Sequence, residues 1–482
     1  MPRTRSRVEF GDWQTPLALA SDVFRLLRAQ SEPPACVLEP TCGNGAFLQA
    51  AAATFPQAQL YGFEIDEEHA ATAKQRLVST SATITHADFF DCDWDAIVAA
   101  MPEPIWIVGN PPWVTNAGVG ALGGKNLPKK VNPKGTRGID ARTGKSNFDI
   151  SLWMLQRLLT AVASKRFCMA VLCKSIVARQ VLKEVSANPL AVYAALYTID
   201  AKVQFDAAVD AVVLVIRTED TGEQGSELVW PVFADLKAVR PHKFFGMLDG
   251  AICSDVDSAK ATQALAGPSD VVWRSGLKHD CAKVMEFHAY EGQWQNAMEQ
   301  APQLQDEACW YPLLKGSHVA AGRPPQHRVL VTQPKPGVDT STLEKTAPKT
   351  WAYLQEHAPA FAKRKSSIYK GQPKFAIFGV GEYSFAPYKV AICGLYKRLR
   401  FCVVPPFEGK PVMLDDTCYF LPCNTLAQAE LLADACNSPL AQKFLGARVF
   451  WDMKRPVSKA LLSMLSLPKL LQALGKFGDR SV

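Results

Sequence analysis

Over its first 235 residues the chain alternates short, evenly apolar runs with stretches of helical periodicity, and few architectures accept that alternation. The runs Ala35–Leu38, Leu60–Ile65, Ile105–Val108, Phe167–Cys173, Ala191–Ile199 and Ala211–Ile216 have the length and composition of buried strands. Between them, Ala46–Thr54, Ile150–Val162 and Ile176–Val185 have helical spacing. Together they predict an α/β fold, with a mostly parallel sheet covered by helices on both faces. Ligands of such sheets bind at the carboxyl ends of the strands. The pattern breaks around Trp230–Pro241, and the C-terminal half is richer in Pro, aromatics and short irregular segments. Two domains are therefore expected, 1–240 and 241–482, the second of α+β type.

Composition narrows the classes. With 53 Lys and Arg against 46 Asp and Glu, the net charge is +7 over 482 residues, too mild for a basic tail or an acidic disordered chain. Nowhere do enough apolar residues run together to span a membrane. The basic N-terminus, MPRTRSRVEFGDW, lacks the apolar core of a secretory signal. None of the thirteen Cys falls in a CxxC pair, so no metal site is expected, and thiols in a reducing cytoplasm are. One segment, Val114–Asn147, carries seven Gly and seven Lys or Arg and is expected to be a mobile basic loop.

Two motifs carry chemistry. The first, Val37-Leu-Glu-Pro-Thr-Cys-Gly-Asn-Gly-Ala46, follows a strand and opens a helix. Gly43 and Gly45 permit a tight turn and close approach to a ligand, but Leu48 replaces the third glycine of a dinucleotide fingerprint. Glu64 ends the second strand, where a carboxylate can accept both hydroxyls of a ribose. Asp88, in the later stretch His86-Ala-Asp-Phe89, can accept from an adenine amino group. These residues describe an adenosine-type pocket.

The second motif, Asn110-Pro-Pro-Trp113, ends the apolar run Ile105–Val108. Two prolines fix the backbone and hold the Asn110 amide and the carbonyls after it rigid. That supplies two acceptors for one –NH₂ group, with the face of Trp113 beside them for stacking. An exocyclic amino nitrogen is a poor nucleophile because its lone pair is conjugated with the ring. Accepting both its protons turns the lone pair toward an electrophile, which is work of orientation and electrostatics.

With these residues the chain resembles the S-adenosylmethionine-dependent DNA amino-methyltransferases in their gamma order, with cofactor motifs first, the catalytic turn next and target recognition last. The resemblance implies a Rossmann-like sheet and S-adenosylmethionine as cofactor. It also implies methylation of adenine N6 in a base flipped out of double-stranded DNA, as in restriction–modification systems. Thr15 and Pro16 look like the family's N-terminal cofactor motif. Glu39, Pro40, Thr41, Cys42, Gly43 and Gly45 look like its glycine loop, Glu64 and Ile65 its ribose site, and Asp88 and Phe89 its adenine site. Asn110, Pro111, Pro112 and Trp113 match the catalytic turn, with Trp113 where Tyr or Phe is commoner. Asn110 also borders the cofactor site. Ser146–Ser151 resembles the next helix start, and Phe205 stands where the family places a second aromatic against the target base. The resemblance further implies a monomer and a separate cognate endonuclease, since about 240 residues after the first domain leave little room for a cleavage domain.

Residues 351–410 hold ten Lys or Arg against three Glu, interleaved with aromatics. Lys363, Arg364 and Lys365 are candidates for phosphates, Gln372, Lys374 and Tyr383 for base edges, and Lys370 is a further DNA-binding candidate. His279 is read as a structural hydrogen-bonding residue, and Arg455-Pro456 resembles a place where the family approaches the gap left by the flipped base. The alternatives are cytosine N4, an RNA base or a protein glutamine as acceptor, and an inactive DNA-binding protein on the same fold.

Overall fold

The computed structural model describes residues 13–114, 149–187, 192–218, 228–291, 293–298 and 306–476. The basic segment after Val114, with Ser146–Phe148, lies outside them. The chain divides into two compact units, Met1–Gly250 and Ala251–Val482.

The first unit opens with helix α1 (Leu17–Gln30), which buries Leu19, Ala20, Val23, Phe24, Leu26 and Leu27 along one face. Then come β1 (Cys36–Glu39), α2 (Ala46–Thr54), β2 (Gln59–Glu64), α3 (Glu67–Arg76), β3 (Ala82–His86), α4 (Trp94–Ala99) and β4 (Ile105–Gly109). Next are α5 (Ile150–Ala161), β5 (Phe167–Lys174), α6 (Ser175–Ala187), β6 (Val192–Ile199), α7 (Ala201–Phe205), β7 (Ala211–Thr218), β8 (Val229–Phe233) and β9 (Lys243–Leu248). The strand order is β9-β8-β6-β7-β5-β4-β1-β2-β3. From β3 to β5 the ladders are parallel, and β7 enters antiparallel between β5 and β6.

Strands β1 and β4 are buried along their whole length, because helices cover both faces of the centre. Phe24 of α1 stacks on Trp106 of β4, with centroids 6.0 Å apart. The edge strand β3 buries only Ile84 instead. The order of strands reverses between β1 and β4, so their onward connections leave in opposite directions and open a crevice at the carboxyl ends. The unit runs past residue 240 because β9 pairs with β8, Val229 opposite Gly246.

The second unit holds a four-stranded sheet of Arg274–Ser275, Cys418–Cys423, Tyr388–Cys393 and Cys402–Val404 in that order. A five-stranded sheet runs Gln293–Asn296, Glu286–Tyr290, His327–Leu330, Trp310–Leu314 and Met413–Leu414. Helices Leu426–Asn437 and Pro439–Gly446 share a core with the first of these sheets, and Pro348–Glu356 packs with the second. Among the described residues no helix is long and apolar enough to cross a membrane.

Candidate active site

A cavity of about 390 Å³ opens at the carboxyl ends of β1, β2 and β4. Its wall brings together most of the residues singled out from sequence: Thr15, Glu39, Pro40, Thr41, Cys42, Gly43, Glu64, Ile65, Asp88, Phe89, Asn110 and Pro112. Pro16 and Gly45 lie one step behind, as the N-caps of α1 and α2. Trp13, Gln14, Asp66, His69, Phe90 and Met154 line the cavity too. Asp66 was legible as the residue just past a strand end, while nothing in the sequence marked Met154, which enters from α5.

The glycine loop is held by carboxylate and amide groups. Glu64 accepts from the Gly43 N–H at 2.7 Å through one oxygen and from the Asp66 N–H at 2.9 Å through the other. A carboxylate oxygen can accept more than one hydrogen bond, so the same group can also meet a ribose diol. Gly43 sits at φ +49, and a Cβ there would lie 2.6 Å from Oε1 of Gln14. Gln14 closes that approach by accepting from the Asn44 N–H at 3.0 Å.

Glu39 is buried, and its Oε2 has no hydrogen-bond partner. Burial pushes its carboxyl well above the usual range, and the nearby Glu64 adds to the rise against a backbone hydrogen bond at Leu48. Burial also raises the Asp88 carboxyl, opposed by the Phe90 N–H it accepts at 2.9 Å. Phe89 packs on Trp94 with centroids 4.6 Å apart.

The Asn-Pro-Pro-Trp turn begins after Gly109, whose φ of +151 excludes most side chains. Asn110 Nδ2 donates to the Trp13 carbonyl at 2.8 Å, and Asn110 Oδ1 is buried without a partner. Such an orphaned acceptor costs about 1–3 kcal/mol. Pro111 and Trp113 are buried behind the wall. Trp113 meets Phe205 edge to face, with centroids 5.3 Å apart and an interplanar angle of 73°. The two rings therefore touch each other, and are not parallel walls of a slot as the expected base sandwich requires; a base can enter between them only if one moves.

The basic candidates separate. Lys363, Lys365, Lys370 and Gln372 are exposed, and Lys374 reaches Gln355 Oε1 at 2.7 Å. Arg364 is a correction. Its guanidinium commits four of its five N–H donors to the carbonyls of Phe361, His279, Ala376 and Lys374 and lies 3.7 Å over the Tyr369 ring, so it ties loops together more than it is set out for phosphate. Tyr383 is half-buried beneath Arg274 and near Phe420, which makes it a packed ring more than a reader of base edges. His279 is buried, paired with Glu286 at 3.2 Å. Arg455 donates to the Asp416 carbonyl.

Sheet order, glycine loop and Asn-Pro-Pro-Trp turn at the switch point define an enzyme of group transfer, and the chain belongs to the Type II methyltransferases. It is 37% identical over 478 residues to the Type II methyltransferase M.NspV of Nostoc sp., covering 98% of each chain. No protein-family model matches it. Its fold is similar to that of the Type IIL restriction–modification enzyme MmeI, solved in complex with DNA, at a TM-score of 0.51 and 13% identity over 97% of this chain and 73% of that one.

The methyl donor is S-adenosylmethionine, and the cavity fits it. Glu64 would meet the ribose and Asp88 the adenine amino group, and the unpartnered oxygen of Glu39 is a buried acceptor for a donor group of the ligand. Among the described residues no cluster of His, Cys, Asp or Glu could hold a metal.

Proposed function

We propose that the chain methylates adenine N6 in a specific duplex DNA sequence, as the gamma-type modification enzyme of a restriction–modification system. In this reading the first unit catalyses, the second recognises the target, the chain acts as a monomer, and a separate endonuclease shares its target sequence. The observation that carries it is Asn110. Its Oδ1 is a buried acceptor without a donor, on a proline-fixed turn beside the cavity, which is what an incoming amino group needs. S-adenosylmethionine supplies an electrophilic methyl group. Asn110 Oδ1 and a carbonyl of the Pro-Pro turn accept the two N6 protons and direct the nitrogen lone pair. With that methyl donor bound, the directed nitrogen would take the methyl group, and one N6 proton would leave to water.

The base must leave the helix to reach the cavity, at a cost of a few kcal/mol. Trp113 offers it a stacking face once the edge contact with Phe205 opens. Lys363, Lys365 and Lys370 meet phosphates, and Gln372 and Lys374 are the candidates for base edges. Asn at the head of the turn favours adenine, because Ser is commoner there in cytosine enzymes.

The test is expression in a host without adenine methylation, followed by sequencing that reports base modification. N6-methyladenine in one recurring motif supports the reading, with Asn110→Ala inactive yet still binding S-adenosylmethionine. N4-methylcytosine corrects the base and keeps the mechanism. Unmodified DNA from a cofactor-binding protein refutes it.

A further inference from the structure

Asn110 works only if its amide faces the right way. An asparagine side chain has a donor end and an acceptor end of nearly equal shape, and rotation by half a turn exchanges them. With the wrong end forward, two N–H bonds would meet the donor N–H bonds of the target amine. Something beside Asn110 must therefore choose the orientation.

The structure supplies a chooser. The Trp13 backbone carbonyl lies 2.8 Å from Asn110 Nδ2, and a carbonyl can only accept. The orientation is thus dictated by the neighbour's chemistry: nitrogen toward Trp13, oxygen away. The oxygen so directed is the buried, unpartnered Oδ1. Gly109 and the two prolines hold the backbone of the turn, but none of them can sense which end of the amide is which. The residue after Trp13 is also anchored, since Gln14 Oε1 accepts from the Asn44 N–H of the glycine loop at 3.0 Å. One short stretch of chain, far from the turn in sequence, grips the cofactor loop with a side chain and the catalytic amide with a main-chain carbonyl.

We infer that Trp13 is a positioning residue acting through its backbone carbonyl, which locks the Asn110 amide with Oδ1 presented to the target amino group. The inference rests on the reading of Asn110 as the acceptor for that amine. It explains why an amide is needed there. A carboxylate would set an acceptor against the Trp13 carbonyl, and the repulsion would turn the group or move the Trp13–Gln14 segment. A neutral carboxylic acid would restore the arrangement, its O–H donating to Trp13 and its C=O facing the amine.

That chemistry gives the test, made on the full chain with a duplex carrying the target sequence. Asn110→Asp is expected to lose about a hundredfold in single-turnover rate at neutral pH, the usual scale for one misplaced catalytic dipole. Its activity relative to the parent is then expected to recover as pH falls, about tenfold per unit while the introduced carboxyl is mostly ionised. The titratable groups that share the cavity wall are Glu39, Cys42, Glu64, Asp66, Glu68, His69 and Asp88, and the ratio of variant to parent at each pH cancels their titration. A ratio independent of pH, with Asn110→Ala inactive, overturns the lock and leaves Asn110 as the acceptor. Full activity of Asn110→Ala instead overturns the proposed function beneath it. A second readout needs no variant. In the parent labelled with ¹⁵N-asparagine, one Nδ2 proton of Asn110 is expected to exchange slowly with solvent without DNA, and fast exchange of both overturns the lock even if Asn110→Asp fails to fold.

Discussion

Glu64→Gln is nearly isosteric, and the structure predicts that it is not mild. The two carboxylate oxygens accept from two backbone N–H groups, Gly43 at 2.7 Å and Asp66 at 2.9 Å. A glutamine keeps one oxygen, so its NH₂ must face one of those N–H groups. One charged hydrogen bond is lost, the other becomes neutral, and a backbone donor in a mostly buried corner is left facing another donor. A hydrogen bond to a charged group contributes about 1.5–3 kcal/mol, so the first unit should lose roughly 2–3 kcal/mol of stability. The same substitution removes an acceptor for the ribose, which weakens S-adenosylmethionine binding by about tenfold to a hundredfold at about 1.4 kcal/mol per decade. Glu64→Ala loses both backbone bonds and should melt lower than Glu64→Gln, while its cofactor affinity falls at least as far. Calorimetric titration with S-adenosylmethionine and thermal melting read the two effects separately. If Glu64→Gln bound the cofactor within twofold of the parent and melted at the same temperature, the carboxylate would not be what holds the glycine loop.

In the second unit, Lys363→Ala and Lys365→Ala should each flatten the salt dependence of DNA binding, by about one unit of the log–log slope, with melting unchanged. Arg364→Ala should instead destabilise the unit by roughly 3 kcal/mol, because it strands carbonyls that the guanidinium now satisfies; denaturant titration distinguishes the two outcomes. Burial pulls the Glu286 carboxyl up, but His279 and Lys315 outweigh it and hold it down at about 2, against an ordinary 4.5. The folded value is the depressed one, so this stability is complete above about pH 4.5 and drains as pH falls toward 2. The stability gap between parent and Glu286→Gln in urea titrations should accordingly narrow with acidification, and a gap constant with pH would refute the pairing. Burial lowers Lys389 to about 7 from 10.5, with Nζ donating to the Ala386 carbonyl at 2.8 Å. The unfolded chain then holds the extra proton between those values, so stability should rise with pH across that window. Lys389→Met should stabilise by about 1–4 kcal/mol near pH 6, and the gain should fade as pH rises and be gone above about pH 10.5, where both states become neutral.

The first unit was legible where residues are buried on both faces. The runs at β1, β4, β5 and β7 have no polar alternation because helices cover both sides of the sheet, and continuous apolarity is a strong signal. The elements that the sequence pattern does not reveal give weaker signals for the same reason. Strand β3, Ala-Thr-Ile-Thr-His, buries only Ile84, since it is the sheet edge. Helix α3 buries only Ala70 and Ala73, too small to make an apolar stripe stand out; its start is marked instead by Asp66, which accepts from the His69 N–H at 3.0 Å. The turn of strand order at β7 is a property of pairing, and no residue in Ala211–Thr218 announces antiparallel neighbours.

At the site, side-chain type was legible and partner type was not. Glycine, proline and acidic residues at strand ends report a backbone constraint or a charge, and those are written in the sequence. Which end of the Asn110 amide faces inward depends on a main-chain carbonyl from Trp13, and every residue has one of those. Arg364 fails as a phosphate candidate for the same reason. Its charge marked it for DNA, but four backbone carbonyls brought round it by the fold already occupy four of its five donors. Main-chain acceptors carry no letter in the sequence, so they are invisible until the chain is folded, and here they decide both the direction of the Asn110 amide and where most of the Arg364 donors go. Sequence identity at Asn110 is therefore not enough to keep the amide working. A substitution that shifts the Trp13–Gln14 segment, with the Asn-Pro-Pro-Trp turn intact, should impair methylation as a change in the turn itself does.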